Sequence, residues 1–300
     1  MIANKKLITL LFPPLILLLL STACTPKKKK KKNRFWGECI SNINCPDKKI
    51  CIHHKCVSLD SQGTTQALKP PLGMVYIPPG SFIMGSNSGS PMEKPQIEVS
   101  TGGYFIDILE VTRKKYDICI KKGICTAPAC NSPSPDAAVS CVTWEQAVKY
   151  CIFAGKRLPS EEEWEKAARG VDARTYPWGE QSPTCSRANF NECKNNTLVD
   201  YNQRLEGKSP FGTLDQAGNV WEWTSTALWP WDKKKDPEML SAGYKPLKQI
   251  SHELQSEHRV VRGGSIADGQ LGVRTTIKQL LKKNMSSRLV GFRCAKDVVK

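Results

Sequence analysis

Histidine is scarce in this chain, with four residues in 300: His53, His54, His252 and His258. A histidine-built redox-metal centre needs several imidazoles converging on one ion, so the scarcity argues against one. His252 and His258, with Glu253 and Glu257, come nearest to a ligand set. Their spacing of six does not stack on one helical face, where three or four would, and they read as solvated loop residues. Acidic residues are missing from the first 34 positions, which carry nine basic ones. The formal charge of +16, from 44 Lys+Arg against 28 Asp+Glu, is therefore largely local, and the remainder holds 35 against 28, or +7. A mildly basic body without a nucleic-acid-binding motif excludes nucleic acid as the expected partner. The apolar run Leu7 to Leu20 is short for a membrane span of roughly 20 residues, and Pro13-Pro14 interrupts it. A transmembrane anchor is thereby disfavoured.

The same run has another meaning. Lys5 and Lys6 precede it, small residues Ser21-Thr22-Ala23 follow, and Cys24 comes next. This is the layout of a secretory signal peptide over 1–23. The cysteine after Ala23 resembles a bacterial lipobox, although Ser21 replaces the usual aliphatic residue. Cys24 is accordingly expected to become a lipidated N-terminus, holding the chain in the cell envelope at the outer membrane or cell surface. Acyl chains contribute about 0.8 kcal/mol per buried CH₂. Residues 24–36 include six consecutive lysines, Lys27 to Lys32. They repel one another into a solvated tether, and could also attract an anionic surface at ~1 kcal/mol per basic residue.

Twelve further cysteines remain, an even number suited to pairing in an oxidising compartment. Cys39, Cys45, Cys51 and Cys56 lie in a stretch, 37–58, with few large apolar residues. Such a stretch cannot fold on its own core, so bridges are expected. Zinc is the rival because His53 and His54 lie nearby, but the spacing C-x5-C-x5-C-x4-C lacks the CxxC knuckle. Residues 59–72 read as a linker and 73–300 as the main domain.

In that domain Met74–Ile77, Ser81–Met84 and Tyr104–Ile108 read as strands. Thr112 caps an expected helix with apolar Tyr116, Ile118, Cys119 and Ile120. Thr143 with Gln146 and Ser160 with Glu163 form capping boxes for two more, through Phe153 and through Arg169 before Gly170. Beyond them Trp, Gly, Asn and Pro dominate, so the class is α+β with low regular secondary structure, disulfide-rich. Trp144, Trp164, Trp178, Trp221 and Trp223 supply apolar surface. Glu161, Glu162, Glu163 and Glu165 cluster at a helix start, where acids cap and complement the dipole. Arg157 and Arg262 are candidate buried partners for them. The stretch WPWDKKKDPEM, from Trp229 through Trp231, is either an exposed recognition loop or a packed edge.

The blocks MVYIPPGSFIMGS, GYFIDILEVTRKKYDIC, CVTWEQAVKYCIFAGKRLPSEEEWEKAARG, YPWGE, FGTLDQAGNVWEWT, RVVRGGS and GFRCA resemble, in order and spacing, the formylglycine-generating enzyme (sulfatase-modifying factor) family. The resemblance covers about Met74 to Lys296 and implies a variant of the C-type-lectin fold. It also implies a Cys151–Cys294 bridge, while Ala168 stands at the first position of the family's second bridge. The six cysteines left allow fifteen connectivities, of which Cys119–Cys125, Cys130–Cys141 and Cys185–Cys193 are the local choice.

The resemblance further implies structural calcium on Asp215, Gly218, Val220 and Glu222, a set of carboxylates and carbonyls suited to that ion. A second calcium set maps onto Asn189 and Phe190, where the shortened segment around Cys193 suggests a bridge in place of the metal. Enzymes of the family bind copper(I) through a CxxxxC pair after RGGS and use oxygen to oxidise a substrate cysteine. Here the segment reads RGGSIADGQLGVRTT, with Asp268 at the first cysteine position. A carboxylate does not replace a thiolate for a soft monovalent ion, so copper is not expected, and Ser265 and Trp221 line a former active-site region. Two function classes follow. One is a non-catalytic binding or display module for a protein or glycan partner; the alternative is an oxidoreductase with a non-standard metal site.

Overall fold

The computed structural model describes residues 49–52, 55–58, 69–193, 198, 204–227 and 257–298. The expectations for the signal peptide, Cys24, the lysine tether, Cys39, Cys45, His53, His54, Trp229, Trp231, His252 and Glu253 lie outside these residues. Strands β1 (Lys49–Ile52) and β2 (Lys55–Ser58) form an antiparallel hairpin that sets Cys51 opposite Cys56.

The main domain starts with β3 (Met74–Ile77), β4 (Gly80–Met84), β5 (Ile97–Thr101) and β6 (Tyr104–Asp107). Helices α1 (Arg113–Lys121), α2 (Trp144–Phe153) and α3 (Glu161–Arg169) follow. The chain closes with β7 (Trp221–Ala227), β8 (His258–Arg262), β9 (Lys278–Lys282), β10 (Val290–Gly291) and β11 (Ala295–Asp297). Among the described residues of this domain three small sheets result, ordered β11-β6-β3, β4-β5 and β10-β7-β8-β9. The last is mixed, because β10 runs parallel to β7 while the other pairs are antiparallel.

The helices begin where hydroxyls meet free amides. Thr112 Oγ1 accepts from Lys115 N at 3.3 Å. Thr143 and Gln146 exchange two bonds, of 3.2 and 2.9 Å, as do Ser160 and Glu163. The core gathers around Tyr116, Tyr150 and Phe292: the tyrosines stack at 5.4 Å and Phe292 meets both edge-on. Trp144, Trp164, Trp178, Trp221 and Trp223 each direct the indole N–H to an acceptor, as buried indoles require. Trp144 donates to Thr224 O, Trp178 to Gln181 O and Trp223 to Val142 O. Trp164 donates to Glu222 and Trp221 to Asp268.

Among the described residues four cysteine pairs stand at bonding distance: Cys119–Cys125, Cys130–Cys141, Cys151–Cys294 and Cys185–Cys193. Of these, Cys151–Cys294 ties α2 to the chain end across 143 positions.

The acids of α3 go well beyond capping. Glu163 does close the capping box, and it also takes a two-pronged bond from Arg157 at 2.6 and 2.7 Å. Glu165 is fully buried: Oε1 accepts from Gly85 N and Arg169 Nη1, and Oε2 accepts from Arg262 Nη2. One carboxylate therefore ties α3 to the β4 hairpin and to β8. Lys166, beside it, donates from Nζ to Pro78 O, Gly80 O and Thr101 Oγ1, clamping the β4–β5 hairpin onto the same helix.

Candidate functional site

Strand β8 ends at Arg262 and the chain turns through Gly263 and Gly264, whose φ angles are +97° and +74°. A Cβ on Gly264 would lie 2.1 Å from Gly272 O, so only glycine lets the two loop segments cross. The crossing lays Ser265 and Asp268 against Trp221, the first residue of β7.

Asp268 Oδ2 accepts three hydrogen bonds: from Ser265 Oγ at 2.6 Å, Ser265 N at 2.9 Å and Trp221 Nε1 at 3.0 Å. Charge-assisted bonds of this kind fix an anion firmly. Ser265 Oγ in turn accepts from Ala267 N, and Asp268 O accepts from Asn191 N. Ser265 and Trp221 are buried while Asp268 is half-buried.

Counting the CxxxxC spacing onward from Asp268 reaches Val273. It is fully buried and packs with Tyr176, Ala188, Phe190, Cys193 and Ala217. The two thiol positions are thus occupied by a held carboxylate and a sealed isopropyl group. Neither is a soft ligand.

The surroundings contain residues that the sequence did not single out. Tyr176 stacks on Trp178 with centroids 5.2 Å apart, and its hydroxyl donates to Gln270 O. Gln270 Nε2 donates to the exposed Glu192. Asn191 and Glu192 enter because the Cys185–Cys193 bridge folds their short segment toward Asp268. No spacing or composition signal marks such a neighbour.

Of the first expected calcium set, Asp215, Gly218 and Val220 lie on the turn before β7, and Glu222 is on the strand itself. Asp215, Gly218 and Asn219 all take left-handed φ, at +55°, +81° and +61°. Gly218 is pressed onto Asn189, where a Cβ would lie 2.1 Å from the carbonyl oxygen. Asp215 is buried, and its Oδ1 has no hydrogen-bond partner. An orphaned buried carboxylate oxygen costs the fold unless a donor or cation meets it, so this residue fits a hard cation.

Burial pushes the Asp215 carboxyl upward, and the guanidinia of Arg204 and Arg293 offset only part of that. Glu110, also buried, is pushed well above the usual range by desolvation and by Asp215. Glu222 is differently placed: Arg293 grips both of its oxygens at 2.6 and 2.8 Å, and Trp164 Nε1 adds a third bond. Its charge is already matched, which leaves it a weaker ligand than Asp215.

In the second expected set, Phe190 O accepts from Cys193 N and Asn189 Nδ2 donates to Asn219 Oδ1. Cys193 itself is bonded to Cys185. Among the described residues no three or more His, Cys, Asp or Glu side chains gather to hold a metal ion. A calcium set with two carboxylates and backbone carbonyls is not of that kind.

Comparison with known proteins agrees with this geometry. Residues 61–298 match the sulfatase-modifying factor enzyme 1-like domain. The inactive C-alpha-formylglycine-generating enzyme 2 of Mus musculus is 28% identical over 285 residues, covering 74% of this chain and 85% of that protein. The formylglycine-generating enzyme of Mycobacterium tuberculosis is 32% identical over 171 residues, covering 53% of this chain and 56% of that enzyme. Among solved structures, PvdO from Pseudomonas aeruginosa superposes with a TM-score of 0.57 at 22% identity, over 75% of this chain and 94% of that one, a likeness of fold. With most of its length matched, and with small sheets, short helices and paired cysteines among the described residues, the chain belongs to the sulfatase-modifying factor (formylglycine-generating enzyme-like) family.

Proposed function

We propose that this protein is a non-catalytic member of its family: a cell-envelope lipoprotein, anchored through Cys24, whose domain displays a binding surface for a protein or glycan partner. The observation that carries the reading is Asp268. Its carboxylate stands at the first copper-thiolate position with one oxygen saturated by Ser265 and Trp221, and Val273 seals the second position. Oxygen activation on copper(I) needs thiolates that these side chains do not provide. The half-buried Asp268 and Trp178, with the exposed Asn191 and Glu192, then form a polar and aromatic face suited to recognition rather than turnover. Structural calcium on Asp215, the carbonyls of Gly218 and Val220, and Glu222 belongs to the same reading, supported by the orphaned Asp215 oxygen.

The test is competition for copper(I) against a chromophoric chelator, using the full chain and its Asp268→Cys/Val273→Cys variant. The parent should leave the chelator loaded while the variant withdraws one equivalent. Stoichiometric copper uptake by the parent, with oxygen consumption in the presence of a thiol peptide, would establish the oxidoreductase instead.

A further inference from the structure

Helix α1 divides cleanly into two faces. Tyr116 and Cys119 are buried, whereas Lys114, Lys115, Ile118, Lys121 and Lys122 are exposed. These five recur at intervals of three and four positions and so form one stripe along the helix. None of the four lysines has an ion-pair partner among the described residues. The helix's own acid, Asp117, is tied to Arg113 at 2.7 Å.

Apolar exposure coincides with that charge. Of the eight large hydrophobic side chains exposed among the described residues, Ile118 at 52%, Ile124 at 51% and Ile152 at 66% belong to α1, its following loop or α2, while Leu72, Met92, Leu205, Leu271 and Met285 are exposed elsewhere. Ile124 sits in the loop closed by Cys119–Cys125, with its N–H bonded to Cys119 O, so it is held out rather than free to fold away. Ile152 shares the outer stripe of α2 with exposed Lys149, and the Tyr116–Tyr150 stack joins the two helices.

We propose that this face docks on an anionic phospholipid surface. Aliphatic side chains flanked by lysines match the acyl–headgroup boundary: isoleucine enters the apolar layer while each lysine stem lies along it and its ammonium reaches the phosphates. Two other partners fit less well. Protein interfaces are depleted in lysine and anchored by aromatics and arginine. Single-stranded nucleic acid is held by aromatic stacking, and duplex recognition leans on arginine forks. This stripe has neither an exposed aromatic nor a free arginine. The inference stands on α1 and its neighbours and does not require acylation of Cys24 or any role for Asp268.

Hydrogen exchange with mass spectrometry on the full chain reads the contact locally. The chain is mixed with phosphatidylcholine vesicles, or with the same vesicles containing about one third phosphatidylglycerol. Amides of 113–124 should slow by about tenfold or more on the anionic vesicles and stay unchanged on the neutral ones. The Lys114→Glu/Lys115→Glu/Lys121→Glu/Lys122→Glu variant should lose the slowing with its melting temperature intact. It keeps the Lys27–Lys32 run, so its loss reports α1 alone. Ile118→Ser/Ile152→Ser should leave a weaker, salt-sensitive protection. No slowing on anionic vesicles, equal slowing on neutral ones, or slowing that survives the four charge reversals would each overturn the proposal. So would protection by heparin but not by vesicles, which would assign the stripe to a soluble polyanion.

Discussion

Replacing Glu165 by glutamine should remove a large part of this domain's stability, and the structure says how much. Glu165 and Arg262 are both fully buried, and Arg169 is nearly so. The glutamine keeps the side chain's shape and one acceptor oxygen. It takes away the only carboxylate bonded to the two guanidinia among the described residues and presents an amide N–H₂ to donors. Breaking a buried ion pair from one side costs about 3–5 kcal/mol. The cost should stay near the middle of that range, because both arginines retain neutral acceptors. Arg169 still donates to Ile83 O, Gly85 O, Ala173 O and Arg174 O, and Arg262 to Thr276 O and Ile277 O. Against a typical total of about 5–15 kcal/mol, a loss near 4 kcal/mol is severe.

Urea unfolding with the disulfides intact measures it, followed by tryptophan fluorescence, to which Trp164 contributes with its ring 5.6 Å from the Arg262 guanidinium carbon. A double-mutant cycle of Glu165→Gln with Arg262→Gln should return a coupling of about 2–3 kcal/mol, since removing the cation relieves the stranded charge. A Glu165→Gln cost below about 1 kcal/mol, or a coupling near zero, would refute the view that one carboxylate staples three elements.

Two further outcomes follow from the same structure. Cys151→Ala/Cys294→Ala should cost about 5 kcal/mol by loop-closure entropy over the 143-position separation. Cys185→Ala/Cys193→Ala, closing a separation of 8, should cost about half that; equal losses in urea would show that chain entropy does not govern these bridges. Calcium at about a hundredfold excess over its dissociation constant should raise the melting temperature by roughly 5–10 °C, and Asp215→Asn should abolish the rise. Burial raises the Asp215 carboxyl above its ordinary value of 3.8. In the absence of the ion, the folded state therefore holds this proton longer than the unfolded one. Its contribution to stability falls as pH climbs from that ordinary value to the folded one. Calcium favours the ionised form, so its stabilisation should be larger at pH 7.5 than at pH 5. A calcium effect independent of pH would place the ion elsewhere.

Much of the fold was legible in the sequence because its signals are local. Thr112, Thr143 and Ser160 cap their helices through atoms within three residues. Met74–Ile77 and Ser81–Met84 read as strands, and β3 and β4 occupy them, with β4 beginning one residue earlier at Gly80. The β10-β7-β8-β9 sheet was not legible. It joins short strands across long stretches of turn, and its pairing depends on residues distant in the chain, such as Trp221 beside Val290. The pairing of Arg262 with Glu165 could be anticipated as a need for a counter-charge, although not the sharing of that carboxylate with Arg169 and Gly85.

At the candidate site the division is sharper. The sequence by itself determined which atoms are available: a carboxylate at 268 rather than a thiol, a valine at 273, and glycines where the backbone must turn left-handed. Covalent identity is local, so no folding step changes it. Only the tertiary structure decided how those atoms are used. It directed Ser265 and Trp221 onto one oxygen of Asp268, matched Glu222 with Arg293 and left an oxygen of Asp215 unmet. It also turned the lysines of α1 outward by burying Tyr116 against Tyr150. Hydrogen-bond partners and exposed faces are properties of packing between distant segments, and the residue order alone does not contain them in readable form.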